Sequence, residues 1–369
     1  LSSQPADVEK LVRSRFSVKE FFALPDGELE FRVAYDEKTK ARFEQLYPEA
    51  MAGGYRPELS GTKEDCILIM RKDEPPARSN SRIPVILALL TLASVVIFSL
   101  LQSSVYSQLI PTLSSYAVVL RFGATIVILI GAHELGQRLV ARRRISGHSN
   151  IYLIPGIPFL PPFLPSLGFA STQRQPALNK DHLFDVVVAG PLALVALAIA
   201  AYMVGDLTSV HSTVAYQSTS LANTTVSING NAIQMGIDKL LGPLLPTAPA
   251  GFVQVSPIAD GATVGFIIAF IGLLPMAIFD GGLLTNIAWG ERTARVVTYL
   301  SVLALLVLDT PTYWALAIVV LLLTRPYNLR LLDEVSGLST SRHWIFVGTL
   351  VLAFLCVPVP HNIGTFPLP

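Results

Sequence analysis

From residue 83 onward the chain alternates long apolar runs with short polar connections. The runs have membrane length, since a helix crossing the hydrocarbon core needs roughly 20 apolar residues. Ile83–Leu101, Tyr116–Val140, Phe184–Gly205 and about Ala262–Ile278 fit a crossing. Val296–Leu308 and Tyr313–Leu323 are shorter and flank Pro311, which predicts a helical hairpin or one broken segment. Trp344–Val357 is the last run. Residues 1–80 follow another pattern. Glu28–Tyr35 alternates like a strand, Glu37–Tyr47 reads as a helix stopped by Pro48, and Asp65–Met70 reads as a second strand. The expected architecture is an all-α polytopic membrane protein with six or seven transmembrane helices over residues 81–369. A small soluble α+β domain and its linker, residues 1–80, precede it.

Composition supports this reading. Of 369 residues, 51% are hydrophobic and 14% charged, against about 25% charged in soluble proteins. A large soluble α/β protein would have buried strands of about four to eight residues, and the runs here are far longer. A net charge of +1 gives no general attraction to nucleic acid. Cys66 and Cys356 stand far apart, which excludes a disulfide framework and a Cys-rich zinc module.

Basic residues assign the connections to sides. Arg71, Lys72, Arg78 and Arg82 precede the first span, Arg138 and Arg142–Arg144 follow the second, and Arg174 and Lys180 precede the third. Arg292 and Arg295 follow the fourth, and Arg325, Arg330 and Arg342 lie before the last. Residues 102–115 and 309–312 carry none, and 206–251 only Lys239. This alternation predicts a multi-pass protein whose N-terminal domain, second-span end and Asp280 region share the cytoplasmic side or its equivalent, such as the stroma. Arg121 is the exception, close enough to the opposite interface to snorkel. The polar, small-residue stretch 206–251 is expected to form a short cap on the far side.

Two stretches interrupt the helical pattern. Ile151–Leu167 is apolar yet holds five prolines, so no regular helix fits, and irregular backbone at membrane depth has to pack against protein or line a cavity. Leu273–Gly282 contains Pro275 and ends in Asp280-Gly-Gly, a broken helix beside an acid.

The chemistry-bearing residues are few. Gly131–Gln137 reads Gly-Ala-His-Glu-Leu-Gly-Gln, one letter short of the zinc-protease signature His-Glu-x-x-His. His133 and Gln137 share a helix face, with Glu134 to one side. A hydrolytic zinc takes three protein ligands, and Asp280 suits the third. Each piece has a plainer meaning: a His-Glu pair is commonly a polar helix contact, Asp-Gly-Gly commonly a turn, and Arg142–Arg144 a topology anchor. Two costly polar groups on separate spans at the same depth and side make the combination stronger.

In four places residues 83–330 resemble the site-2 protease family of intramembrane zinc metalloproteases. These are the Gly131–Gln137 helix with the basic residues after it, and the Pro-rich stretch leading to Leu167-Gly-Phe-Ala170. The others are Leu183–Leu192, with its Ala-Gly-Pro, and Leu273–Gly282. The N-terminal soluble domain and the lack of an inserted PDZ-like segment look most similar to the plastid, cyanobacterial and archaeal branch. The resemblance implies one zinc ion held by His133 and Asp280, with Gln137 at the position of the missing histidine. It implies Glu134 as general base and a small β edge at Leu167, Gly168, Phe169 and Ala170 that receives substrate. Gly272 and Pro275 fall in the substrate-holding motif, Gly272 in place of an asparagine. His148 and His182, on the same side, are further candidates to complete the ligand set. The implied activity is cleavage of transmembrane segments of client proteins, near the cytoplasmic face and within the lipid bilayer. The alternative is an inactive homologue that binds such clients without cutting them. A small transporter is a third reading, weakened because no internal repeat is found.

Overall fold

A computed structural model describes residues 5–25, 27–73, 82–144, 149–156, 164–173, 175–211, 230–244, 254–307, 314, 317–318, 320–322 and 329–358. The N-terminal part holds α1 (Pro5–Arg15), β1 (Val18–Ala23), β2 (Leu29–Val33), α2 (Thr39–Ala52), β3 (Tyr55–Gly61) and β4 (Cys66–Lys72). The four strands form an antiparallel sheet in the order β1-β2-β4-β3. Alternate residues face inward: Leu29, Phe31 and Val33 on β2, Cys66, Leu68 and Met70 on β4. They bury against Val8 and Val12 of α1 and Phe43, Leu46 and Ala50 of α2.

Pro48 does not stop α2, contrary to the sequence expectation; the helix continues to Ala52. Leu46 and Ala50, on either side of Pro48, are both buried, and their burial offsets the lost backbone hydrogen bond. Three elements without a clear pattern, α1, β1 and β3, were not expected. Pro57 sits in β3, an edge strand, where a missing N–H is tolerated.

The remainder is mostly helical. Among the described residues, three helices are long and apolar enough to cross a membrane: α3 (Ile83–Leu109), α4 (Ser115–Arg143) and α5 (Lys180–Leu207). Ser114 caps α4 by accepting from Ala117 N–H, and Asn179 caps α5 by accepting from His182 N–H. Between α4 and α5 lies a two-stranded antiparallel sheet, β5 (Ser149–Pro155) and β6 (Ser166–Gln173), in the Pro-rich stretch. Pro158, Pro161 and Pro162 lie outside the described residues. Then follow α6 (Ala232–Leu241), α7 (Pro257–Leu273), α8 (Asp280–Trp289), α9 (Glu291–Val307) and α10 (Thr340–Leu355). The fourth apolar run is therefore not continuous to Ile278: α7 ends at Leu273, because the residue before a proline avoids helical geometry and Leu274 turns to an extended conformation. Much of Tyr313–Leu323 falls outside the described residues.

The N-terminal sheet is tied to the helices by one short segment. Leu59 N–H on β3 donates to Leu332 O (2.6 Å), and Glu334 N–H donates back to Leu59 O (3.0 Å). On its other side Leu332 N–H donates to Ala177 O (2.8 Å) and Asp333 N–H to Leu178 O (2.9 Å), just ahead of α5. Leu178 and Leu332 are buried in the N-terminal core. Charges reinforce the junction. Lys40 pairs with Asp181 (2.6 Å), and Arg342 forks onto Asp185 (2.7 Å on both arms) while reaching Asp181 (2.9 Å). Arg144, at the end of α4, also meets Asp185 (2.7 Å).

Asp333 lies at the centre of this segment, fully buried. Its Oδ1 accepts from Val335 and Ser336 N–H, while Oδ2 has no hydrogen-bond partner among the described residues. Burial pushes its carboxyl above the ordinary carboxylate range, although those hydrogen bonds pull it back in part. An acid raised on folding favours its protonated form, so its stability contribution is present below about pH 4 and lost as pH rises through the folded value. Asp333→Asn is expected to raise the unfolding temperature of the purified chain at neutral pH, with the gain vanishing under acid conditions.

Candidate active site

The site is built where α4, α5 and the α7–α8 turn converge. His133 and Gln137 are one turn apart on the inner face of α4, and both are buried. Asp280 is the first residue of α8 and wholly buried. Its position follows from local sequence. Pro275 ends α7, the turn closes through hydrogen bonds from Met276 N–H to Leu274 O and from Phe279 N–H to Met276 O, and α8 starts at once. Gly281 permits this: a Cβ there would stand 2.1 Å from Leu273 O. The N-terminal end of α8 favours the negative charge of Asp280.

His133 Nε2 and Asp280 Oδ2 are 2.8 Å apart, and Gln137 Nε2 approaches Asp280 Oδ1 at 3.4 Å. A buried carboxylate is costly unless bonded, and these two side chains supply partners. Gly190 of α5 closes the other side: a Cβ there would lie 2.7 Å from His133 Nε2 and 2.8 Å from Gln137 Cγ. Phe169 of β6 stacks flat on the His133 ring, with centroids 3.6 Å apart and planes inclined by 6°. His133 Nδ1 is buried without a hydrogen-bond partner among the described residues.

The other sequence candidates fall as follows. Leu167, Gly168, Phe169 and Ala170 all lie on β6, where Phe169 pairs with Leu153 and Ala170 with Tyr152. Gly168 has φ +111° and lies against the Phe279 ring, which ties the strand to the α7–α8 turn. Gly272 is buried near the end of α7, yet a Cβ there would meet nothing within 4 Å. Pro275 is half-buried in the turn, and its carbonyl accepts from Thr298 Oγ1 (3.4 Å). Glu134 is not joined to His133 or Asp280; its carboxylate pairs with Arg138 one turn on. It lines an open groove of about 500 Å³ with Ile128, Gly131, Leu135 and Leu197. The i,i+4 spacing of Glu134 and Arg138 was the available signal for that pair. His182 faces the N-terminal part, 3.8 Å from Glu44, so it does not complete the ligand set. His148 lies outside the described residues. Sequence reasoning quoted Gly190 and Phe279 within the Leu183–Leu192 and Leu273–Gly282 stretches but gave neither a role of its own; the role of Gly190 is steric.

Family resemblance implies one zinc ion, and donor chemistry tests the fit. Among the described residues no group of three His, Cys, Asp or Glu could hold a metal. One imidazole nitrogen and one carboxylate do converge, however, with a carboxamide beside them. With the Gln137 amide oxygen as third donor the set fits a zinc ion in number, but one ligand is neutral and weaker than imidazole.

The family model of peptidase family M50 matches residues 121–308. The chain is 26% identical over 249 residues to the probable zinc metalloprotease EGY2, chloroplastic, of Arabidopsis thaliana, covering 64% of this chain and 42% of that protein. It is 25% identical over 260 residues to the probable zinc metalloprotease EGY3, chloroplastic, of Oryza sativa subsp. indica, covering 67% and 43%. It is 26% identical over 249 residues to the probable zinc metalloprotease EGY1, chloroplastic, of Arabidopsis thaliana, covering 65% and 42%. The chain spans less than half the length of these relatives. No solved structure matches it.

Contact between α5 and the His133 face is tight enough to test. Gly190→Ala is expected to lower the stability of the detergent-solubilised chain by about 1–3 kcal/mol through overpacking. Gly272→Ala, whose added methyl has open space, is expected to leave the thermal transition unchanged or raise it.

Proposed function

This chain belongs to peptidase family M50, the site-2 proteases, and on that premise we propose that it is an intramembrane metalloendopeptidase. It cuts transmembrane segments of client proteins near the cytoplasmic or stromal face. The observation that carries the reading is the convergence of His133 and Asp280, 147 positions apart in sequence, at one buried point beside Gln137 and strand β6. We further propose six or seven spans for residues 81–369, with residues 1–80 as a soluble domain on the cytoplasmic side.

His133, Asp280 and Gln137 would hold the zinc ion, which supplies Lewis acidity toward a client carbonyl and toward water. The remaining work falls to the chain itself. A helical client hides its carbonyls in internal hydrogen bonds, so it must unwind, and the β6 backbone offers it a ladder by strand addition. Phe169, lying on His133, sets how closely the client backbone approaches. Gly190 and the α7–α8 turn enclose the point and limit access of water. Glu134 accepts a proton only after its carboxylate leaves Arg138.

A second reading is supported by the neutral amide of Gln137 and the outward pairing of Glu134: a homologue that holds transmembrane clients without cutting them. Metal analysis and cleavage of a transmembrane client reporter by the purified chain separate the two. The proteolytic reading expects stoichiometric zinc lost in His133→Ala, cleavage lost in Glu134→Gln, and zinc held more tightly in Gln137→His, since imidazole is a better zinc ligand than a carboxamide. If the parent neither binds zinc nor cleaves while Gln137→His does both, the binding reading stands and the proteolytic one falls.

A further inference from the structure

Helices α4 and α5 run antiparallel and touch through residues with little or no side chain. A Cβ at Gly136 of α4 would stand 2.8 Å from both Ala189 O and Ala193 Cβ of α5, and one at Gly190 of α5 would stand 2.7 Å from His133 Nε2 and 2.8 Å from Gln137 Cγ. Small residues let two backbones approach closely, but apolar contact is non-directional. The axial register nevertheless matters here. Gly190 is the gap into which His133 and Gln137 fit, so a slip of α5 along its axis carries the gap away from both.

Directional bonds lie at Asp185, about 7.5 Å before Gly190 along α5. Asp185 and Ala189 are one turn apart on the same face, the face that meets α4. Arg144, just past the end of α4, meets Asp185 Oδ2 (2.7 Å), a direct charged link between the two helices. Arg342 of α10 places Nε on Oδ1 and Nη2 on Oδ2, both at 2.7 Å, a two-pronged geometry that fixes orientation as well as distance. Its Nη1 reaches Asp181 Oδ2 and Ser339 Oγ, both at 2.9 Å. Asp181 Oδ1 accepts from Ser339 N–H (2.9 Å), and Lys40 of α2 pairs with Asp181 while donating to Gly337 O (3.0 Å). Asp181 is buried, and Asp185 and Arg342 are half-buried, so salt screens these pairs less than surface ones.

We propose that Asp185 is a positioning residue: clamped between Arg144 and Arg342, it sets the axial register of α5 on α4 and so holds Gly190 opposite His133 and Gln137. The small-residue crossing supplies closeness, and the carboxylate supplies register. The consequence for catalysis rests on the proteolytic reading of the site, while the register is a property of the chain alone.

The test uses the full chain in phosphatidylcholine nanodiscs, with spin labels at Tyr116→Cys on α4 and Leu192→Cys on α5, both exposed positions. The labels are offset along the antiparallel pair, so a slip of α5 changes their separation nearly one for one. Both native cysteines are buried and do not compete for label. Asp185→Asn, Arg342→Gln and Arg144→Gln are each expected to shift the separation by about 1.5 Å or more, the rise of one residue. Arg144 is exposed, so its variant is the least prone to misfold. Arg342→Lys, which keeps the charge without the fork, is expected to shift it less, and Val12→Ala, which loosens the N-terminal core, not at all. Zinc affinity and client cleavage are measured on the same samples. Variants with a shifted register are expected to bind zinc more weakly and to lose up to about a hundredfold in kcat with KM little changed. Unchanged separations in all three clamp variants overturn the proposal and leave the proteolytic reading standing. A shifted register with zinc binding and turnover at parental values overturns it as well. A parent that neither binds zinc nor cleaves, with a shifted register in the variants, defeats the proteolytic reading and supports the positioning of α5 by Asp185.

Discussion

A carboxylate and an imidazole cannot stay buried in an apolar bundle unless they meet. Asp280 is fully buried and His133 nearly so, and their 2.8 Å contact constrains most of the membrane part. It requires α4 to present one face at one height, α7 to end at Leu273, and α8 to begin within a few residues of that end. It requires a residue without a side chain at 190, since α5 passes within a methyl group's reach of both His133 and Gln137. The turn leaves no room for a side chain at Gly281, where a Cβ would stand 2.1 Å from Leu273 O.

The N-terminal sheet is not independent of this arrangement. Leu332–Glu334 extends the edge of β3 and pairs with Ala177 and Leu178, which lead directly into α5. Asp185, held by the Arg342 fork and by Arg144, is five residues ahead of Gly190 on the same helix. The height of α5, and so the position of Gly190 against His133, is fixed at its entry by bonds that cross from the N-terminal part and from α10. This gives the N-terminal part a mechanical connection to the site.

What could be read from sequence follows from how far each signal reaches along the chain. The spans α3, α4 and α5 were legible because length and apolarity are local, as was the break before Pro275. The meeting of His133 with Asp280 was expected from the near-match to a zinc-protease motif together with an acid beside a proline-broken helix. β3 was not, because its alternation is half polar and it is recognised only through pairing with β4. α2 passes Pro48 because tertiary burial of Leu46 and Ala50 overrides a local stop. Glu134 and Arg138 carried a local signal that the motif overshadowed, and His182 turned toward Glu44 because the N-terminal part packs over the entry to α5.

The sequence by itself determined that the chain lives in a membrane, which residues could form its reactive point, and which family it belongs to, because these rest on composition, spacing and motif. Only the tertiary structure decided that Phe169 lies on His133, that Gly190 is the wall of the site, and that Glu134 faces a lateral groove. Each is a contact between segments distant along the chain. Such contacts depend on how close two backbones can come and which side chain fills the gap, and neither is written in any single stretch of residues.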